Sequence, residues 1–272
     1  MTKPLAARIA LYVVLIVGAV IMVFPFVWTV VTSLTPGATL TTTPRLIPEN
    51  PSLSPYIELF DRVPFARVIG NSLLIAVVST LLQLVTSAMA AYVFARMPFP
   101  GRGALFVLYL ATMMIPFQVL IVPLFAEMKT LGLINTYAGA ILPTIATAFG
   151  VFLLRQAITT VPYDLDQAAT LDGAGHFRIF VQIILPLIRP ALATLAVFAF
   201  LNTWNSFLWP LIILRDPLMQ TLPVALTSLQ GQYSTQWDVL MAGSVISIIP
   251  MFALYVFAQK YIVQGVAGAG LK

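Results

Sequence analysis

The sequence contains no cysteine, only one histidine and few charged residues, and each shortage excludes a class of function. Without cysteine there is no disulfide framework, no thiolate metal site and no cysteine nucleophile. The single histidine, His176, excludes a metal site that needs several histidines. Charged residues make up 8% of the 272 residues and hydrophobic residues 60%, whereas soluble domains carry about 25% charged residues. The composition therefore excludes an ordinary cytosolic enzyme or secreted domain and predicts a polytopic membrane protein.

Six long stretches of the sequence lack Lys, Arg, Asp and Glu, and these stretches mark the predicted membrane spans. Each is about 20 residues or longer, which is enough for a helix to cross about 30 Å of hydrocarbon. The spans are predicted near 10–33, 71–95, 104–126, 137–154, 190–209 and 239–259. The regions 36–67 and 211–237 are predicted to be outer loops, the second because much of it is rich in Gln, Ser and Thr. We therefore predict an all-α fold with six transmembrane helices.

The first hydrophobic segment has two interpretations, because Lys3 and Arg8 give it the basic start of a signal peptide. Its apolar run continues to Trp28, which is too long for the core of a signal peptide, and no small-residue cleavage motif follows promptly. We interpret this segment as a helix that is retained in the mature protein.

Four of the predicted spans contain proline in their interior. The residues are Pro25, Pro116, Pro123, Pro143 and Pro250. A proline inside a helix releases a backbone carbonyl, and within lipid that carbonyl needs a new partner in the protein. We therefore predict kinked helices with replacement hydrogen bonds.

Basic residues fall unequally on the two sides of the predicted membrane. With the N-terminus inside, the inner segments hold nine Lys and Arg residues and the outer segments hold five. An inner excess is typical of cytoplasmic loops, and it accounts for the net charge of +5 without a nucleic-acid partner. We predict that both termini face the cytoplasm.

The predicted spans contain no Asp, Glu, His or Lys, although proton- and sodium-coupled carriers usually need such a group in the membrane. Uphill transport would therefore draw its energy from another subunit. The glycine-rich stretch 265–272 lacks the Gly-Lys-Ser/Thr of a nucleotide-binding Walker loop. No paired carboxylates and no Ser/His/Asp set lie within reach of one face. We predict that the chain itself is not an enzyme and binds no metal or cofactor.

The segment 156–189, between the fourth and fifth spans, is too long for a simple connection in a bundle, where most connections run about 2–8 residues. Asp164 and Asp166 favour the start of a short helix, and the Asp172-Gly173 pair ends it. A second short helix is predicted to end at Pro186. Its apolar stripe consists of Phe177, Phe180, Val181 and Ile184. This stripe fits either a partner protein or the chain's own bundle, and periodicity leaves both alternatives open.

Residues 166–174, with the sequence DQAATLDGA, resemble the EAA loop of binding-protein-dependent ABC importer permeases. In that family an EAA run is followed by Asp-Gly-Ala and then by Ile-x-Leu-Pro at the spacing found here. The matching residues form the predicted ATPase-coupling site: Asp166, Gln167, Ala168, Ala169, Asp172, Gly173, Ala174, Phe177, Ile183, Leu185 and Pro186. The stretches 204–211, 221–223 and 264–272 are similar to the carbohydrate branch, which includes the inner permeases for maltose and glycerol phosphate.

The resemblance implies a type I importer permease fold, with residues 1–272 as one transmembrane domain and 156–189 as its coupling loop. It implies the permease subunit of an ATP-binding-cassette importer in a bacterial cytoplasmic membrane, forming half of a sugar translocation path. The implied partners are a homologous second permease, an ATPase dimer that binds ATP and magnesium, an extracytoplasmic sugar-binding protein, the sugar and the lipid bilayer.

One position departs from the family pattern. The family usually has Glu before the two alanines, where it contacts a basic residue of the ATPase, and this chain has Gln167. The adjacent Asp166 could replace that carboxylate imperfectly, because its side chain points about 100° away around the helix.

The fifth span carries the main candidates for the translocation path. Asn202 and Asn205 are three residues apart on one helical face, with Trp204 between them, and Gln118 in the third span is a further candidate. Amides and aromatic rings suit a sugar, but Asn also joins helices within membranes. Both interpretations stay open at this point.

Two other functions are also open. An ABC permease for a non-sugar solute would share the coupling loop, but the motif at 204–211 and the C-terminal stretch disfavour it. A multipass membrane enzyme is disfavoured by the lack of paired catalytic groups.

Overall fold

The computed structural model describes residues 5–38, 46–48, 50–230 and 235–270, with 260–270 as backbone alone. In chain order the helices of this part are α1 (Leu5–Ser33), α2 (Ser54–Arg62), α3 (Phe65–Arg96), α4 (Arg102–Ala111), α5 (Phe117–Thr130), α6 (Tyr137–Ile141), α7 (Ala148–Thr160), α8 (Asp164–Leu171), α9 (His176–Ile179), α10 (Leu185–Leu187), α11 (Arg189–Trp204), α12 (Leu208–Ile213), α13 (Leu222–Ser228) and α14 (Trp237–Gly270). Within these described ranges the β structure is one isolated bridge between Gln230 and Thr235. The predicted all-α class is therefore confirmed.

Three helices are long and apolar enough to cross a bilayer without a break: α1, α3 and the part of α14 from Trp237 to Gln259. Three more candidates are helix pairs bent at a short break. The bend is 97° between α4 and α5, 48° between α6 and α7, and 79° between His176–Leu187 and α11. Counting each bent pair as one span gives six, which is the predicted number. The termini, 1–4 and 271–272, lie outside the described residues.

Two breaks coincide with prolines, so the spans predicted at 104–126 and 137–154 are not continuous helices. The third span stops at Ile115 and Pro116, whose backbones are extended. A proline disfavours the helical conformation of the residue before it, which here is Ile115. The fourth span stops after the 3-10 turn Leu142–Thr144, which contains Pro143, and resumes with α7.

The carbonyl released by Pro143 has a specific partner. In an unbroken helix the N–H of residue 143 would donate to the Gly139 carbonyl, but proline has no N–H. The indole N–H of Trp209 donates to this carbonyl at 3.1 Å. The Trp209 side chain is buried, and its ring packs edge-on against Phe117. The prediction that a proline in a span needs a replacement hydrogen bond is confirmed here.

The fifth predicted span and the loop predicted after it also differ from expectation. The helix predicted at 190–209 is divided, because α11 ends at Trp204 and α12 begins at Leu208. Asn205 and Ser206 lie in this break, and short polar residues of this kind favour helix ends. The region 211–237, predicted as loop, contains α13, whose Leu222 is buried.

The chain forms two compact units. One unit comprises the described residues up to Ala66 together with Ala225–Pro250. Within it the hydroxyls of Ser33 and Tyr56 lie 2.8 Å apart, and α1 exposes its apolar side chains from its start to Val27. Full exposure of an apolar helix is typical of a surface that faces lipid or another membrane subunit.

The other unit comprises Arg67–Val224 together with the residues from Met251 onward, and two apolar clusters lie along its helix α3. One cluster includes Leu154 and Ile184, and the other includes Ile75 and Ile213. Between them α3 carries a buried polar stripe with a spacing of four residues, which consists of Ser79, Gln83 and Ser87. Both candidate regions described next lie in this unit.

Candidate functional site

The first candidate region is the 156–189 loop, which contains α8, α9 and α10. Helix α8 ends in a hydrogen-bonded cap. The N–H of Gly173 donates to the Thr170 carbonyl at 3.0 Å, and the N–H of Ala174 donates to the Ala169 carbonyl at 2.9 Å. Gly173 has a φ of +80°, which glycine adopts at little cost. The predicted helix break at this glycine is confirmed.

The second helical segment of the loop runs from His176 to Leu187 and contains a π turn over Phe180–Ile184. The N–H of Leu185 donates to the Phe180 carbonyl, five residues back. Such a turn changes the hydrogen-bonding register, and Pro186 is accommodated in the helix immediately after it. The segment therefore ends at Leu187, one residue later than predicted.

The apolar side chains of the loop face two ways. Phe180 and Ile184 are buried in the chain's own core, beside residues of α3 and α7. Phe177 and Leu171 are 78% and 89% exposed, although both are large and apolar. Val181 is also exposed. The predicted stripe is therefore divided, because half of it packs on the chain's own bundle and half points away from it.

Asp166 does not share the outward direction of Gln167. Its side chain is buried and its Oδ2 lies 3.0 Å from Nε of Arg96, the last residue of α3. Arg96 also donates from Nη2 to the Val161 carbonyl at 2.7 Å, and its guanidinium lies 5.5 Å from the centre of the Tyr163 ring. The interpretation that Asp166 replaces the family glutamate is corrected, because this carboxylate is engaged within the chain.

Burial and charge act on the Asp166 carboxyl in opposite directions. Loss of hydration raises its pKa above the ordinary value, Arg96 and His176 lower it, and the first effect is larger. Its Oδ1 has no hydrogen-bonding partner in the described part of the chain. Because desolvation offsets the attraction in a buried ion pair, this contact adds little stability. It does fix the position of α8 against the end of α3.

A cleft of about 420 Å³ opens beside this ion pair, and Gln167 and Leu171 line it. The remaining predicted loop residues differ in exposure. Exposed are Ala168, Asp172 and Gly173, and half-buried are Ala169, Ala174, Ile183, Leu185 and Pro186. The structure therefore brings the small residues at the end of α8 to the same open face as Gln167.

The second candidate region is a cleft of about 320 Å³ within the helices. Its polar lining residues are Gln83, Thr144, Thr147, Asn202, Thr203 and Ser206, and its aromatic lining residues are Phe117 and Trp209. The three helix breaks at 115–116, 145–147 and 205–207 all contribute or adjoin lining residues, as expected where irregular backbone in a membrane borders a cavity. None of the described residues that line this cleft is charged.

Gln83, Thr147 and Asn202 also line an adjoining cleft of about 270 Å³. Gln83 is 7% exposed. Neither its side-chain amide nor that of Asn202 forms a hydrogen bond with the described part of the chain. The Gln83 side chain is largely buried and that of Asn202 is exposed, and both amides border clefts in which a polar solute or water can be their partner.

The other predicted path residues lie elsewhere. The Asn205 amide donates to a carbonyl one turn back in α11 and contacts the sulfur of Met251. Trp204 is buried and stacks on a neighbouring phenylalanine. Gln118 is exposed on α5 and lines neither cleft. Of the four candidates, Asn202 alone lines these clefts.

Sequence reasoning missed Gln83 and the threonines at the break between α6 and α7. A signal for Gln83 was present, because Ser79, Gln83 and Ser87 recur every four residues in an otherwise apolar helix. The threonines carried no such signal, since their position depends on how the helix breaks at Pro143.

Comparison with known proteins identifies the relatives of this chain. The family described as "Binding-protein-dependent transport system inner membrane component" matches residues 83–268. The arabinooligosaccharides transport system permease protein AraQ of Halalkalibacterium halodurans is 39% identical, over 93% of this chain and 92% of that protein. The sn-glycerol-3-phosphate transport system permease protein UgpE of Rhizobium meliloti is 35% identical, over 97% of this chain and 96% of that protein.

The fold also has a close counterpart among solved structures. A chain of a bacterial ABC transporter involved in the import of the acidic polysaccharide alginate has a TM-score of 0.85 at 24% identity, covering 96% of this chain and 99% of that chain. The family match spans more than half of the sequence and confirms the resemblance identified from the EAA-like loop. This chain belongs to the family of binding-protein-dependent transport system inner membrane components.

Proposed function

We propose that this chain is the permease subunit of a bacterial ATP-binding-cassette importer and that its solute is a neutral sugar or oligosaccharide. Family membership supports the importer. The names of two relatives, for arabinooligosaccharides and for lactose, support a carbohydrate. The observation that carries the proposal is the polar cleft around Gln83 and Asn202, whose uncharged walls combine amides, hydroxyls and aromatic rings.

The charge of the cleft favours some sugars over others. A phosphorylated or acidic solute, such as those named for UgpE and for the alginate transporter, needs its negative charge balanced, and Arg is the residue most suited to phosphate or carboxylate. The described lining residues of the two clefts include no Arg or Lys. Hydroxyl and amide groups instead match the donors and acceptors of a neutral sugar.

The partners follow from the division of labour in such an importer. An ATPase dimer with ATP and magnesium docks on the open face of the 156–189 loop, where Leu171 and Phe177 are exposed. A homologous second permease completes the path, and an extracytoplasmic sugar-binding protein delivers the solute. One solved relative is described as a complex with a periplasmic protein bound to a pentasaccharide.

This proposal requires the loop and both termini to lie in the cytoplasm of a bacterium, with the chain in its inner membrane. The inner excess of basic residues supports that orientation. A reporter fused after Lys272 should give a cytoplasmic signal, and a periplasmic signal would overturn the orientation.

Transport by the purified complex tests the proposal. The chain is purified with its ATPase, reconstituted in vesicles and supplied with radiolabelled neutral oligosaccharides, a sugar phosphate and a uronate, each with its binding protein. We expect ATP-dependent uptake of a neutral sugar and no ATP hydrolysis by the chain alone. Uptake restricted to the charged solutes would refute the neutral substrate, and failure to copurify any ATPase would refute the importer.

A further inference from the structure

The 156–189 loop is joined to the two walls of the polar cleft by different routes. The wall that carries Asn202 is α11, which follows the loop directly after the bend at Ile188. The wall that carries Gln83 is α3, which is remote from the loop in sequence. A force on the loop therefore reaches Asn202 through the chain itself but needs a contact to reach Gln83.

The Arg96–Asp166 ion pair provides such a contact at the end of α3. Both side chains are 8% exposed, and their charged atoms lie 3.0 Å apart. The second anchor of Arg96, the Val161 carbonyl, lies in the same stretch of chain just before α8. Arg96 therefore contacts the loop at two points, through a hydrogen bond to the Val161 carbonyl and through charge attraction to Asp166, so movement of α8 acts on the end of α3.

Helix α3 is suited to carry movement from this contact. It is continuous over 32 residues, whereas α4 with α5 and α6 with α7 are broken. Gln83 lies about 20 Å from Arg96 along the same helix axis. The apolar packing of Tyr92 on Phe180 joins the same elements, but an apolar contact tolerates sliding, whereas an ion pair fixes one register.

We propose that the Arg96–Asp166 pair is a positioning contact that transmits movement of the 156–189 loop through α3 to Gln83. Both walls of the cleft then move together when a partner acts on the loop. The inference rests on the proposed function, because it takes the ATPase as the partner that moves the loop. Asp166 and Arg96 line neither of the two polar clefts, so their role is exerted through α3.

The absence of cysteine allows a direct test, because one introduced cysteine can report on one position. Gln83→Cys and Asn202→Cys are made separately, and each complex is purified with its ATPase. The rate of labelling by a small maleimide is measured with and without ATP under vanadate. When the 156–189 loop and Arg96 are native, ATP should change the labelling rate at both positions.

The decisive variant is Asp166→Asn, with Arg96→Gln and the double Arg96→Gln/Asp166→Asn as companions. We expect Asp166→Asn to reduce the ATP-dependent change at position 83 about tenfold and to leave the change at position 202 intact. If the two residues act as one unit, the double variant should be no worse than either single variant. With Gln83 and Asn202 native, the ATP hydrolysed per sugar imported should rise in all three variants. Only complexes that retain the full amount of ATPase are compared.

The outcomes separate this inference from the proposed function. An unchanged response at position 83 in Asp166→Asn overturns the inference, and so does equal loss at 83 and 202, which would indicate general damage to the loop. The inference is also overturned if, with the native loop, ATP changes the labelling rate at position 202 but not at position 83. An ATP response at both positions without uptake of any neutral sugar refutes the proposed substrate and leaves the inference standing. No ATP response at either position overturns both.

Discussion

Two polar regions of the same unit differ in their electrostatics. At the 156–189 loop, the carboxylate of Asp166 lies 3.0 Å from the guanidinium of Arg96, the last residue of α3. In the cleft, Gln83 and Asn202 are neutral and have no hydrogen-bonding partner in the described part of the chain. An unpaired buried charge costs far more free energy than an unpaired amide. A chain can therefore keep neutral groups available for a solute, but it must pair its buried charges, which then hold a geometry.

The backbone also differs between the two regions. The loop is closed by regular caps, with Gly173 in the left-handed conformation and a π turn before Pro186. The cleft is bordered by helix breaks, and one released carbonyl there is satisfied by Trp209. The loop is thus a defined element presented to a partner, whereas the breaks open space between helices for a solute.

The largest effect is expected when an unpaired charge is placed on the open face of the loop. Gly173→Asp puts a carboxylate beside the exposed Leu171 and Phe177, where the proposal places the ATPase. The positive φ costs a side chain about 1 kcal/mol, and an unpaired charge in the contact costs several more. The variant should reach the membrane in normal amount, lose the ATPase on detergent purification and fail to transport.

The matched control is Gly173→Asn, which has nearly the same shape and the same backbone cost but no charge. No atom lies within 4 Å of a Cβ built at this position, so neither variant meets a steric clash within the described chain. The asparagine variant should retain most of the ATPase. Equal loss in both variants would assign the effect to the backbone, and normal retention in both would show that this face does not dock the ATPase.

The next largest effect is expected when the neutral pair in the cleft is removed. Gln83→Leu and Asn202→Leu each delete hydrogen bonds to the solute, and each should reduce uptake about tenfold while the ATPase remains bound. Asn205→Leu is the control, because its amide is already bonded within α11. The measurement is initial uptake by reconstituted vesicles. If Asn205→Leu is the more harmful change, the solute path passes Asn205 and not the cleft that Gln83 and Asn202 line.

The sequence was sufficient to predict the regions but not the directions in which their side chains point. Six uncharged stretches located the spans, and the Asp172-Gly173 pair located the end of α8, because both signals are local. The inward direction of Asp166 could not be predicted, since a rotation of α8 by about 100° would exchange it with Gln167. That rotation is fixed by Arg96, which lies 70 residues earlier in the chain.

The cleft was less predictable than the loop for the same reason. Asn202 was predicted because an amide beside aromatic rings suits a sugar, and Gln83 carried an equally visible signal. The prolines indicated where helices would be interrupted, but not that α4 and α5 would bend by 97°. Pro25, Pro123 and Pro250 lie inside helices, so proline alone does not determine a break. The breaks require partners such as Trp209, which only the folded chain brings near.

A smaller effect should show what a paired polar group at the cleft contributes. Trp209→Phe keeps the aromatic ring but removes the N–H that satisfies the Gly139 carbonyl. An unsatisfied buried carbonyl costs about 1–3 kcal/mol, which lowers the melting temperature by about 2–4 °C per kcal/mol in a protein of this size. Thermal unfolding in detergent measures this change.

Pro143→Ala provides the background that sharpens this test. Alanine at position 143 restores an N–H that can donate to the Gly139 carbonyl, so Trp209→Phe should cost less there than in the native chain. An equal cost in both backgrounds would mean that the indole contributes by packing against Phe117, not by its hydrogen bond.

The smallest effect is expected from Gln167→Glu, which restores the usual family residue. It adds a charge to the open face of the loop, next to the paired charge of Asp166. Gln167 is exposed, so an ion pair with a basic residue of the ATPase is worth about 0.2–1 kcal/mol, or at most about fivefold in affinity. The new carboxylate also lines the cleft that contains Asp166, and its charge should raise the pKa of Asp166 further. The gain at Gln167 is therefore partly offset by a weaker inner pair.

Salt dependence separates these contributions. A solvent-exposed ion pair is screened at high ionic strength, whereas the buried Arg96–Asp166 pair is screened much less. ATPase binding by Gln167→Glu should therefore be tighter than native at low salt and equal to native at high salt. Thr159→Glu adds the same charge to an exposed position of α7 and should change neither value. Tighter binding that persists at high salt would place position 167 in a desolvated contact, and the loop would then pair charges on its outer face as it does on its inner face.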